Sequence, residues 1–223
     1  MPDNFRFIFF DVGNTLLFAN RARILAPLHH RNISPTEEHL LRLECEVKRV
    51  FDGILEHGGK PDHGFWDMFY AQLFRDLQLD DEILRQEVIA NTRSSANWDQ
   101  IRPGTREALQ RIGQNFRTAV ISNSDGKIKD ILSRCAIADC FLTITDSGIV
   151  GKEKPHPLIF ETALQSVGAC AEDSLYVGDV YSVDYLGSTR VGMQAVLFDS
   201  AGAYREKGLP RVESLHELEQ RLR

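Results

Sequence analysis

The apolar run Phe7-Ile8-Phe9-Phe10 stops abruptly on a carboxylate, Asp11, and a Gly13-Asn14 turn and Thr15 follow at once. A run with no polar alternation suits a strand buried on both faces, as in the middle of a parallel sheet. Parallel pairing needs crossover connections, usually helices, so the rest of the chain has to supply strands and helices in alternation. Ligands of open α/β sheets sit outside the carboxyl ends of the strands, which puts Asp11 where chemistry is done. Taken alone, the stretch reads equally well as a strand followed by a turn with Asp as turn former.

The same device recurs later in the chain. Strands are expected over 118–121, 141–144, 174–177 and 194–198, and the first, third and fourth of these end on Ser122, Gly178-Asp179 and Asp199. Helices are expected over 105–112, 128–135, 158–166 and 184–191, with a polar loop over 145–157 and a short strand or turn plus a helix over 212–222. This alternation predicts a three-layer α/β sandwich, Rossmann-like, with a parallel sheet. The region from Phe18 to Trp98 shows no strand-like alternation. Ser34 reads as an N-cap with Pro35 at the first helical position and Glu37 closing a capping box, followed by Leu40, Leu43, Val47 and Phe51 at helical spacing. His57-Gly58-Gly59-Lys60-Pro61 ends that helix; Phe65, Trp66, Phe69, Tyr70 and Leu73 make a second apolar face, and Asp80 caps a third helix. The aromatics read as core of a small bundle. The expected division is therefore a core of residues 1–17 and 99–223 and an all-helical insert of 18–98.

Composition narrows the partners. A net charge of -6 with no basic stripe leaves no electrostatic footprint for nucleic acid. No segment approaches the roughly 18 apolar residues that span a membrane, and the run 7–10 is too short for a secretion signal. Cys45, Cys135, Cys140 and Cys170 have neither CxxC nor metal-ligand spacing, so they read as thiols in a reducing cytoplasm. The sequence gives no reading of oligomeric state.

Asp11, Ser122, Lys154, Asp179 and Asp184 all follow apolar strands or their loops, and strand ends share one edge of a parallel sheet. Several carboxylates, one Lys and one Ser suit a hard divalent cation and a phosphoryl group, with Mg²⁺ keeping waters and a substrate phosphate among its ligands. Lys154 offsets the clustered charge and keeps Asp11 ionised.

With these residues in order, the chain resembles the haloacid dehalogenase (HAD) superfamily of hydrolases, in the class with a helical cap between the first and second motifs. Asp11-Val12-Gly13-Asn14-Thr15 is similar to the first motif, DxDxT, whose leading Asp is the nucleophile. Ser122, in Ile121-Ser122-Asn123-Ser124, matches the phosphate-binding residue of the second; Lys154, heading Lys154-Pro155-His156-Pro157, matches the Lys of the third. Gly178-Asp179 through Asp184 matches the fourth, GDxxxxD. The resemblance implies that Asp11 and Lys154 are catalytic, that Ser122, Asn123 and Lys154 hold phosphate, and that Asp11, the Gly13 carbonyl, Asp179 and Asp184 hold Mg²⁺.

Gly13 departs from the pattern. Phosphatases of the superfamily carry a second Asp there, which protonates the leaving group and activates water. Losing such a group typically costs roughly 10²–10⁴-fold, least for good leaving groups such as acyl or aryl phosphates. A Mg²⁺-dependent phosphatase of a small phosphorylated metabolite, working through an aspartyl-phosphate, is the leading expectation. A haloacid dehalogenase, a phosphonatase-type hydrolase with a cap Lys forming a Schiff base, and a non-catalytic phosphate-binding pseudo-phosphatase stand as alternatives. Lys48 is the cap Lys in view, and by residue type reads as a solvated helix charge; His29, His30, His57 and His63 read as surface histidines.

Overall fold

The structure is a computed structural model and describes residues 5–59 and 64–222. His63 and the Lys60-Pro61 end of the first insert helix lie outside the described residues.

In chain order the elements are β1 (Phe7–Phe10), β2 (Leu17–Phe18), α1 (Arg21–Ile24), α2 (Ala26–His29), α3 (Glu37–Glu56), α4 (Gly64–Asp76), α5 (Glu82–Arg93), β3 (Gln100–Ile101), α6 (Thr105–Ile112) and β4 (Arg117–Ser122). There follow α7 (Ile128–Arg134), β5 (Ile144–Asp146), α8 (Ser147–Val150), α9 (Pro157–Val167), β6 (Ser174–Gly178), a π-helical turn (Tyr181–Tyr185), α10 (Leu186–Arg190), β7 (Gln194–Phe198), β8 (Arg211–Val212) and α11 (Leu215–Arg221). Six strands pair in the order β5-β4-β1-β6-β7-β8, every pair parallel. β1 lies inside the sheet, with Phe10 opposite Val120 on one side and Val177 on the other.

The period of two along β1 explains its apolar run. Ile8 and Phe10 join one core with Leu109 and Ile112 of α6, Leu132 of α7 and Leu218 of α11. Phe7 and Phe9 join the opposite one, with Ile159 and Phe160 of α9. All four are buried, so both faces of the strand are covered, and each such side chain contributes roughly 1.5–3 kcal/mol by leaving water. The expected three-layer α/β sandwich with a parallel sheet is the fold observed.

Between β2 and β3 the chain is helical. β2 and β3 form a separate antiparallel ribbon, Leu17 opposite Ile101, through which the chain leaves the sheet and returns. The helices between have their own apolar cluster, including Leu43 and Val47 of α3, Phe69 and Leu73 of α4 and Leu84 and Val88 of α5.

Some local boundaries differ from expectation. The cap of α3 is Thr36, whose hydroxyl accepts from the His39 N–H at 3.2 Å, because a cap must directly precede the first helical residue, Glu37. Asp81 takes the place expected for Asp80, accepting from the Leu84 N–H at 2.9 Å. The third parallel strand pairs over 144–146, later than the expected 141–144, and the polar loop after it holds the short helix α8.

Candidate active site

Asp11 follows β1, Ser122 ends β4 and Asp179 follows β6, so three neighbouring strand ends deliver three polar groups to one edge. The Asp11 N–H still donates to the Val177 carbonyl at 2.8 Å, which fixes its backbone one residue past the strand. Asn14 turns the chain away at φ 53, a left-handed conformation Asn tolerates better than most residues. The loop before α9 supplies Lys154 and the π-helical turn supplies Asp184.

Lys154 is 2% exposed and its ammonium uses all three donors. Nζ lies 2.5 Å from Asp11 Oδ1, 2.7 Å from Asp184 Oδ1 and 2.8 Å from the Tyr176 hydroxyl. Thr15 donates its hydroxyl to Asp11 Oδ2 at 3.3 Å, and Asp184 Oδ2 accepts the Val180 N–H at 2.9 Å. Gly178 makes room for this packing: a Cβ there would stand 2.5 Å from Asp184 Cγ.

One carboxylate oxygen each from Asp11, Asp179 and Asp184 lie within 4.8 Å of one another, all three residues buried. Burial pushes Asp11 up to about 7; Lys154 pulls it back, while Asp184 and Asp179 add to the rise. Burial likewise pushes Asp179 up to about 6 against the pull of a second ammonium, Lys48. Burial alone would lower Lys154, but Asp11 and Asp184 more than offset it and raise it above its ordinary value. An all-oxygen, carboxylate-rich donor set with negative charge left uncompensated fits a hard divalent cation.

Around Ser122 the loop is braced from two sides. The Asn123 side chain clamps the Lys154 main chain, accepting its N–H at 2.7 Å and donating to its carbonyl at 3.0 Å. The Asn123 side chain thus positions Lys154. Asp146, at the end of β5, accepts the N–H groups of Gly126 and Ile128 at 3.1 Å each and of Gly148 at 2.9 Å.

The helical insert adds a residue to the site. Lys48 was expected on a solvated face of α3; it is 3% exposed. Its Nζ lies 2.7 Å from Asp179 Oδ2 and 3.0 Å from Glu44 Oε1. Burial opposes its charge, and Asp179 and Glu44 more than offset this, holding it well above its ordinary value. Next to the cluster is a cavity of about 400 Å³, with Asp11, Ser122 and Lys154 at one end and Phe51, Phe65, Trp66 and Trp98 from the insert in its wall. Gly13 faces the Trp98 ring: a Cβ on it would lie 3.6 Å from Cζ3.

The sequence matches the family model of the haloacid dehalogenase-like hydrolases over residues 5–192. The chain is a haloacid dehalogenase-like hydrolase. Among relatives of this hydrolase, the glyceraldehyde 3-phosphate phosphatase of Pyrococcus abyssi is 31% identical over 196 residues, 86% of this chain and 80% of that protein. The haloacid dehalogenase-like hydrolase domain-containing protein 3 of Homo sapiens is 33% identical over 211 residues, 86% of this chain and 81% of that one. The hydrolase shares its fold with a HAD-hydrolase, YfnB, of Bacillus subtilis solved bound to magnesium, at a TM-score of 0.73 and 18% identity over 99% of each chain.

In this hydrolase Asp11, Gly13, Ser122, Asn123, Lys154, Asp179 and Asp184 all line the cavity or its floor. Lys152 is exposed, as are His29, His30 and His57. Lys48 enters the sequence reading only as the cap lysine of the phosphonatase alternative, Glu44 and Trp98 do not enter it as site residues, and Asp146 falls within the expected polar loop. For Lys48 the misleading signal is its setting, since Glu44, Lys48 and Asp52 at i, i+4 intervals look like a solvated helix stripe. Trp98 carried a usable clue, as the last aromatic before the chain rejoins the core. Among the described residues no helix is long and apolar enough to cross a membrane.

Proposed function

We propose that this hydrolase is a magnesium-dependent phosphatase of a small phosphorylated metabolite, with Asp11 as the nucleophile. The observation that carries the reading is the buried pair of Asp11 and Lys154, 2.5 Å apart, beside two further carboxylates. The relatives named as glyceraldehyde 3-phosphate phosphatases support phosphate ester chemistry.

In this reading an Asp11 carboxylate oxygen bonds to phosphorus in line while the bond to the leaving oxygen breaks. Lys154 orients Asp11 and pulls its carboxyl toward the ionised form against the effect of burial. The Ser122 hydroxyl and the N–H groups after it serve the phosphoryl oxygens. Magnesium held by Asp11, Asp179, Asp184 and the Gly13 carbonyl supplies neutralisation of phosphoryl charge when bound. Water then takes the phosphoryl group and Asp11 is regained. Residues 1–17 and 99–223 form the core in this proposal, and 18–98 a cap that excludes water and selects substrate; the insert's separate apolar cluster supports that division. The free cysteines support a reducing, cytoplasmic setting.

The test is phosphate release from acetyl phosphate. Asp11→Asn should lower it by on the order of 10⁴-fold or more while the circular dichroism spectrum is kept. Chelation should abolish it in the wild type, and magnesium should restore it. Full turnover by Asp11→Asn would overturn the nucleophile assignment.

A further inference from the structure

Four aromatic rings of the insert, Phe51, Phe65, Trp66 and Trp98, line the cavity beside Asp11, in company with Thr92, Arg93 and Ser95. Trp98 stands beside Gly13, with ring atoms 3.6 and 3.8 Å from where a Cβ would be, within van der Waals contact of that position. The indole is fixed in place: Nε1 donates to the Thr92 carbonyl at 2.7 Å, and Thr92 is tied through its hydroxyl to the Val88 carbonyl at 2.8 Å and the Tyr70 hydroxyl at 2.7 Å. From Trp98 the wall continues through Trp66 at 5.5 Å between ring centroids, Phe65 at 4.9 Å from Trp66, and Phe51 at 5.6 Å from Phe65. The last two pairs meet nearly edge to face, an arrangement favoured by the ring quadrupoles. A cavity of about 400 Å³ is larger than a phosphoryl group needs.

We propose that the substrate is an aryl phosphate, its ring seated against Trp98 and Trp66, and that the phenolate departs unprotonated. This deepens the phosphatase reading and rests on it. An Asp11 oxygen bonds to phosphorus as the phosphorus–oxygen bond to the ring breaks, and that bond's electron pair leaves on the phenolate oxygen. Water then bonds to phosphorus, the bond to Asp11 breaks with its pair returning to the carboxylate, and the water's proton passes to solvent. A phenol has a pKa of about 10, against about 15.7 for water, so its anion leaves without the acid that Gly13 does not supply. The missing side chain and the aromatic wall therefore select for the same chemistry: a flat apolar group that is also a good leaving group.

The chain's two tryptophans both stand in this wall, so intrinsic fluorescence reads the chamber directly. The magnesium-loaded protein is titrated with phenylphosphonate and with methylphosphonate, neither of which carries a cleavable ester oxygen. Phenylphosphonate should quench the emission and bind about tenfold more tightly, the scale of one to two aromatic contacts. That preference should shrink toward unity in Trp98→Ala, with Trp66 as the remaining reporter; Trp98→Phe, the milder change, should keep most of it. A series of para-substituted phenyl phosphates should show kcat/KM falling steeply as leaving-group basicity rises. Equal affinity for the two phosphonates, or a flat series, overturns the proposal while leaving the phosphatase reading intact if acetyl phosphate is turned over. No turnover of acetyl phosphate overturns both.

Discussion

Two ammoniums, Lys48 and Lys154, stand among four carboxylates, Asp11, Asp179, Asp184 and Glu44. Lys154 bridges Asp11 and Asp184, whereas Lys48 comes from the insert and rests on the carboxylate of Asp179, a member of the cluster proposed to hold magnesium. Opposite charges about 4 Å apart interact by several kcal/mol at an effective dielectric of about 20, so the lysine and a divalent ion compete for one carboxylate. Lys48→Met should therefore bind magnesium more tightly, by about tenfold, as read by isothermal titration calorimetry. Unchanged or weaker binding would show that Lys48 does not compete. This residue was the least legible in the sequence. Its neighbours at i-4 and i+4 give it the look of a surface charge, and only the docking of α3 against Asp179 reverses that. The gathering of Asp11, Lys154, Asp179 and Asp184 at one sheet edge was legible because each follows a strand or its loop, and the ends of parallel strands share an edge.

At the scale of the element, α3 is buried on two faces for different reasons. Leu40, Leu43 and Val47 pack into the insert's own cluster. The polar stripe of Lys48 and Asp52 turns to the α/β core. Asp52, 3% exposed, accepts the Ser182 N–H and the Tyr204 hydroxyl, each at 2.9 Å. Arg49 and Cys45 donate to the Ala203 and Ala201 carbonyls at 3.3 and 3.2 Å. Asp52→Ala leaves a buried hydroxyl and an N–H without their acceptor, at a cost of about 1–3 kcal/mol for such a loss. Hydrogen exchange should accelerate in α3 and in residues 181–204 and stay slow in β1. Exchange unchanged in both segments would show that this contact does not dock the helix. Element existence was readable here from apolar spacing, but the docking of α3 on the α/β core was not, since the stripe that faces the core is polar and looks like a solvated face. The shift of β5 to Ile144–Asp146 has a similar cause: Asp146 looks like a loop residue until its carboxylate is seen capping α8 and bracing the Ser122 loop.

At the scale of the whole molecule, the charge cluster makes stability depend on pH. Burial lifts Asp11 to about 7 and Asp179 to about 6, from ordinary values of 3.8. Between about pH 4 and 7 the folded, metal-free protein thus holds protons that the unfolded chain has released. Unfolding then releases protons, and stability falls as pH rises through that window, flattening above about 7. The metal-free protein should melt at a lower temperature at pH 8 than at pH 5.5, and magnesium should raise the melting temperature most at pH 8. Replacing Asp11 and Asp179 together with Asn should flatten the slope; an undiminished slope would place its origin elsewhere.

The β2–β3 ribbon has a consequence for descent. The segment carrying α1 to α5 enters and leaves through two strands that are hydrogen-bonded neighbours, Leu17 beside Ile101. It can be lengthened, shortened or exchanged without re-threading the sheet. The aromatic wall lies on that segment and the carboxylates on the sheet edge. A lineage built this way can trade one clientele for another while inheriting the carboxylates of the sheet edge, although Lys48, which rests on one of them, travels with the segment.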